Sequence, residues 1–125
     1  MAEIVMITVE YDRSVVKFTA EKWKEIGGHV SLYVTNAMKT RTHPIVPSKD
    51  VNFNPVPYSD GSIAPRILIK IVAFGYPERR EKLKRNELNL KAEIIAVFKA
   101  MSVRLSDEDP LLLIEYMDPS SSYYI

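Results

Sequence analysis

RILIKIVAFGYPERR, residues 66–80, is the stretch around which the rest of the chain arranges itself. Ile67, Ile69 and Ile71 alternate with Leu68, Lys70 and Val72, and β-branched residues dominate, so the first half is a strand. Both of its faces are mostly apolar, which predicts a central strand rather than an edge. Phe74-Gly75-Tyr76 breaks it. Pro77 then stands where the first residue of a helix favours proline, and Glu78 places a negative charge in that first turn. A strand, a short turn and a helix N-terminus leave backbone N–H groups beyond the strand end. That is a place for a ligand, but the motif names none.

The whole chain, 125 residues long, is enough for one domain with a real core. Hydrophobic residues make up 46% and charged residues 26%, the profile of an ordinary soluble protein. The net charge of +1 suggests neither nucleic acid nor an anionic membrane as a general partner. Cysteine is absent, which removes disulfides, thiolate catalysis and cysteine metal sites. No apolar run reaches the roughly 18 residues of a membrane span. The opening MAEIVMITVEY has no basic region ahead of its apolar run and does not read as a signal peptide. A cytoplasmic protein is the expectation by elimination.

Outward from residues 66–80, the same two patterns recur. Residues 4–11 alternate, with Ile4, Met6, Thr8 and Glu10 on one face and Val5, Ile7, Val9 and Tyr11 on the other. A helix follows over 19–38. Thr19 can cap it, and Trp23, Ile26, Val30, Val34 and Ala37 form one core-facing stripe. Gly27-Gly28 either weakens this helix by roughly 1 kcal/mol per glycine or permits close packing on the sheet. Residues 39–61 are irregular and proline-rich. A short strand at 40–43 or at 51–54 fits there, and its prolines confine it to an edge. Ser59-Asp60-Gly61 signals a turn before the central strand.

The second helix runs over 77–103, with Leu83, Leu90, Ile94, Val97, Phe98 and Met101 on its apolar stripe. Its opening, residues 78–85, reads as a solvated charged face with Glu78–Lys82 and Glu81–Arg85 as i,i+4 pairs. Residues 106–110 form a polar turn, where a solvated turn outweighs a cation site for the acids Asp107, Glu108 and Asp109. Residues 111–117 are the last strand. The whole is an α+β chain: two β-α-β units form one four-stranded mixed sheet with two helices on one face. Strands apolar on both sides then call for self-association through the uncovered face.

This plan resembles the tautomerase superfamily, whose members are often trimers with a proline at the mature N-terminus. Within it, the chain is most similar to the 5-(carboxymethyl)-2-hydroxymuconate isomerase group, which has this length. Val9-Glu10-Tyr11 looks like the end of that group's first strand. Thr40-Arg41-Thr42-His43 looks like the segment after its first helix, with an arginine two residues before a histidine. Lys70-Ile71, Gly75, Glu78 and Arg80 resemble its second strand-to-helix junction, and Ile114-Glu115 with Pro119 its closing strand. The resemblance implies a single tautomerase-like domain over residues 1–125, a homotrimer and a small carboxylate ligand; the sequence has no metal-ligand spacing, phosphate loop or nucleophile triad, so no cofactor or metal is expected.

The departures from the family are equally specific. The family's proline acts through a secondary amine as general base. Here its place falls near Val5, inside the chain, and no proline precedes Pro44. The arginine expected after the glycine of the second junction is replaced by Tyr76, which can hydrogen-bond a ligand but cannot grip a carboxylate through two charged contacts. A divergent or inactive small-acid-binding member is therefore the expectation, with an active keto–enol isomerase using another base, or a non-enzymatic interaction module, as alternatives.

The candidate residues follow from their chemistry. Arg41, Lys49 and Tyr76 are the ligand-binding candidates, although a solvated arginine and a loop lysine are the plainer readings of the first two, and a subunit contact is as good a reading of Tyr76. The amine of Ala2, exposed once Met1 is removed, is the catalytic candidate. It titrates near 7.7–8.0, about neutral pH, and stands roughly 10 Å of extended chain before Val5. His43 offers an acid or base near neutral pH, against a structural role in its proline-rich loop. His29 reads as packed or exposed. Glu10 and Glu115 form an acid–base pair only if the sheet joins them; a salt bridge to Lys70 is the plainer reading. Arg79 and Arg80 read as a solvated face or a subunit salt bridge, and residues 123–125 as a docking or fraying end.

Overall fold

Val5–Asp12 forms β1 in the computed structural model of the chain, which describes residues 3–58, 67–101, 103, 105 and 109–118. The other elements follow as α1 (Ala20–Met38), the single turn α2 (Pro47–Asp50), β2 (Val51–Tyr58), β3 (Ile67–Phe74), α3 (Pro77–Ala100) and β4 (Leu111–Met117). Ala2, the expected turn at 59–61, the acids Asp107 and Glu108, and residues 123–125 lie outside the described residues.

One four-stranded sheet has the order β2-β1-β3-β4. The outer pairs β1–β2 and β3–β4 are parallel, as a helical crossover requires, and the two units meet antiparallel at β1–β3. β3 is therefore interior, as its apolar faces predict. Of the two candidate positions for the weak strand, the second is the real one. It extends over eight residues and takes in Pro55 and Pro57 because it lies at an edge.

The register assigns each face. Val5, Ile7 and Val9 of β1 and Ile67, Ile69, Ile71 and Ala73 of β3 are fully buried beneath the helices. Each buried valine or isoleucine contributes roughly 1.5–3 kcal/mol. The α1 stripe of Trp23, Ile26, Val30, Val34 and Ala37 is buried as its spacing predicts, and Thr19 caps the helix by accepting from the Lys22 N–H at 3.1 Å. Trp23 gathers Tyr11, Phe18, Phe53 and Phe98 around its ring. The α3 stripe is buried from Leu83 to Phe98.

The opposite sheet face stays open. Met6, Leu111, Leu113 and Met117 are each more than two-fifths exposed on it. Between them Glu10 on β1 reaches Lys70 on β3 at 3.3 Å, the salt bridge that the sequence favours over an acid–base role. Across β3 and β4, Glu115 stands beside Val72.

Candidate functional site

The end of the sheet where β1 begins and β3 ends is built from three segments: the residues before β1, the loop after α1, and the first turn of α3. Arg79 is its centre. The sequence reads this residue as solvated or as a subunit contact, yet its side chain is completely buried. Arg79 lies one turn before Leu83 on the same helix face, so the α3 stripe carries it inward. Its Nη1 donates to both carboxylate oxygens of Glu3, each at 2.6 Å. The same nitrogen contacts the Phe74 carbonyl at 3.2 Å, and Nη2 approaches the His43 carbonyl at 3.4 Å. The guanidinium lies 5.1 Å from the centroid of the Tyr76 ring. Its buried Nε has no hydrogen-bond partner among the described residues.

Glu3 has a second hold. Its Oε2 accepts the Phe74 N–H at 2.7 Å. Met6 pairs with Val72, so the antiparallel register would bring Ile4 opposite Phe74, but β1 begins only at Val5. The Glu3 carboxylate thus satisfies an amide at the point where the ladder stops.

Beside this pair lies a cavity of about 240 Å³ lined by Glu3, Thr42, His43, Pro44, Lys49, Asp50 and Tyr76. The His43 and Tyr76 rings stack, with centroids 3.4 Å apart and planes 14° apart. Hydrogen bonding sets the histidine tautomer. The Thr42 hydroxyl donates to the Glu78 carboxylate at 3.0 Å, so its oxygen can only accept from His43 Nδ1, 3.2 Å away. The neutral ring therefore carries its proton on Nδ1 and its lone pair on Nε2. Lys49 is exposed and forms no ion pair among the described residues.

Arg41 belongs to a neighbouring hollow of about 590 Å³, with Lys39, Thr40, Glu78, Glu81, Lys82 and Arg85. Lys49 and Tyr76 thus share one cavity and Arg41 lines another. The Thr42–Glu78 hydrogen bond joins them, since Thr42 lines the first and Glu78 the second. The expected helical pairs Glu78–Lys82 and Glu81–Arg85 are not among the ion pairs of the described residues. Glu78 is held by Thr42, and the Lys82 ammonium donates to the Lys39 carbonyl at 2.6 Å. Burial lowers the Lys82 pKa, and the nearby charges of Lys39 and Arg85 act in the same direction. His29 lies far from both, in a groove between the helices with Lys22, Glu25 and Tyr33. Arg80 turns to the Tyr116 ring at 4.5 Å and donates through Nε to the Gly75 carbonyl.

No family model matches the sequence, and no curated protein matches it. Solved structures match along nearly the whole chain. A fused 4-OT, described as a wild-type asymmetric trimer, superposes with a TM-score of 0.62 at 10% identity, over 92% of this chain and 88% of that one. The chain has a tautomerase-like fold. MIF2 of Leishmania major superposes with a TM-score of 0.56 at 10% identity, covering 94% of this chain and 91% of that one. Pt0534, inactivated by 2-oxo-3-pentynoate, gives 0.51 at 13% identity over 92% and 84% of the two chains. At these identities the likeness is one of fold. Glu3, Thr42 and Arg79 are the residues of this site that sequence reasoning missed. The signal available for Arg79 was its place on the α3 stripe.

Proposed function

We propose that this is a divergent tautomerase-fold protein, without the proline base, that binds a small acidic ligand in the cavity beside the start of β1. The observation that carries the reading is Lys49: an exposed cation without an ion pair among the described residues, on the rim of a cavity walled by the His43–Tyr76 stack. A carboxylate there meets a charge from Lys49, while the Tyr76 ring offers a flat apolar surface. Arg41, in the adjoining hollow, serves the far end of a longer acid. The open sheet face, with Met6, Leu111, Leu113 and Met117, supports assembly of the chain with itself, and a homotrimer is the arrangement proposed. Titration of the protein with phenylpyruvate tests the reading. Saturable binding that weakens at least several-fold in Lys49→Ala supports it, whereas no binding by folded protein overturns it.

One observation favours a second reading, a working keto–enol isomerase with His43 as base. The tautomer set by Thr42 leaves Nε2 with its lone pair, the form that a proton acceptor needs. Conversion of phenylenolpyruvate separates the two readings. Folded protein no faster than buffer removes the isomerase, and a rate abolished in His43→Asn establishes it.

A further inference from the structure

Arg79 is held independently of Glu3. The Phe74 and His43 carbonyls and the Tyr76 ring fix its guanidinium at the end of the sheet. A fully buried guanidinium needs an anion, because an uncompensated buried charge is strongly unfavourable. The anion comes from Glu3, which lies before β1 and outside any helix or strand. What Arg79 and Phe74 grip is a carboxylate group alone: two oxygens on Nη1, one of them also on the Phe74 amide. The Glu3 side chain is also part of the cavity wall that includes His43, Lys49 and Tyr76. Taking its carboxylate away therefore opens that cavity toward a guanidinium and an N–H already aimed at carboxylate oxygens.

We propose that Arg79 and the Phe74 amide form a binding site for a small carboxylate, and that Glu3 fills it as an internal ligand in competition with external acids. This deepens the small-acid reading by naming where the acid group is held. In the protein as it stands, an external acid at Lys49 and Tyr76 enters a cavity whose Glu3 wall separates it from Arg79, already neutralised. Displacing Glu3 requires movement only of the segment ahead of β1, because the sheet pairing starts at Val5. Ligand affinity is thereby lowered by the effective concentration of a tethered competitor.

The probe is acetate, which carries a carboxylate and little else. In Glu3→Ala, sodium acetate is expected to raise the Tm saturably, by about 3–6 °C above the effect of equal sodium chloride. Wild type, with the site filled, and Glu3→Ala/Arg79→Met, with the cation gone, are expected to show no such excess. A Glu3→Ala response no greater than that to chloride overturns the proposal. Glu3→Gln keeps the side-chain volume without the charge and serves if the alanine variant does not fold. Its Phe74 amide resonance should move with acetate along a saturable curve, and a stationary resonance overturns the proposal equally. Wild type that binds phenylpyruvate through Lys49, while Glu3→Ala ignores acetate, leaves the small-acid reading standing and removes this one.

Discussion

The Phe53 ring lies so close to Gly27 that a Cβ built on the glycine would stand 2.7 Å from its Cδ2. Phe53 on the edge strand β2 packs into α1 at this point, next to Trp23. The neighbouring Gly28 has nothing within 4 Å of such an atom. Of the two roles open to the pair in the sequence, Gly27 therefore has the packing role and Gly28 only the helix penalty. Gly28→Ala is expected to stabilise the protein by about 0.5–1 kcal/mol. Gly27→Ala gains the same propensity but must displace a ring, and is expected to lose about 1–3 kcal/mol net. Chemical denaturation of both variants checks this. Equal effects of the two substitutions would contradict the close approach.

Breaking the Glu3–Arg79 pair from the arginine side is expected to be costly. Arg79→Met leaves the Glu3 carboxylate, only 13% exposed, without its cation, and takes the donor from the Phe74 and His43 carbonyls. The expected loss is about 3–5 kcal/mol. Arg80→Met, at the next position, disturbs only an exposed contact to Gly75 and the Tyr116 ring, and should cost under about 1 kcal/mol. Urea midpoints of the two variants give the comparison.

Self-association through the open sheet face predicts a mass in solution several times that of one chain, and three times for the proposed trimer. Leu113 lies on β4 opposite Lys70 in the register and is 42% exposed. Leu113→Arg puts a second cation beside Lys70 on that face and should shift the protein to monomer in sedimentation equilibrium. A wild type that sediments as a clean monomer would remove the interface.

Lys82 gives the chain a pH dependence with a definite sign. Its folded pKa lies below the ordinary lysine value of about 10.4 because burial, then Lys39 and Arg85, disfavour the charged form. Below the folded value both states are protonated and the native state carries the full penalty. As pH rises from there toward about 10.4, the unfolded chain holds more protons than the native one, so this contribution to stability increases. Lys82 is half-buried, which keeps the effect small. Lys82→Met removes it, so wild-type minus variant stability should rise as the pH approaches the ordinary lysine value from below. A flat or falling difference would refute the assignment.

Periodicity over a few residues carried most of the fold. The alternation of residues 67–74, the 3.6-residue stripe of α1 and the Thr19 cap depend on neighbours in the chain, and each formed where its pattern lies. The β-α-β repeat followed from their order. The proline-rich stretch was ambiguous, because either short segment could pair and only the sheet edge could choose between them. The charged opening of α3 is solvated as its sequence suggests, except at Arg79, which was misread for a similar reason: local charge suggests solvent, whereas Arg79 shares a helix face with Leu83 and Leu90.

By itself, then, the sequence determined β1, β3, β4 and the two long helices, their order and the layer of helices on one sheet face, because those rest on local spacing and on which side chains avoid water. Tertiary structure alone decided the site. It joined Glu3 to Arg79 across the antiparallel seam of β1 and β3, stacked His43 on Tyr76, and sent Arg41 to a different hollow from Lys49. Those relations depend on distances of a few ångströms between residues far apart in the chain. For Arg79 they turn a surface charge into a buried one whose character is set by its partner.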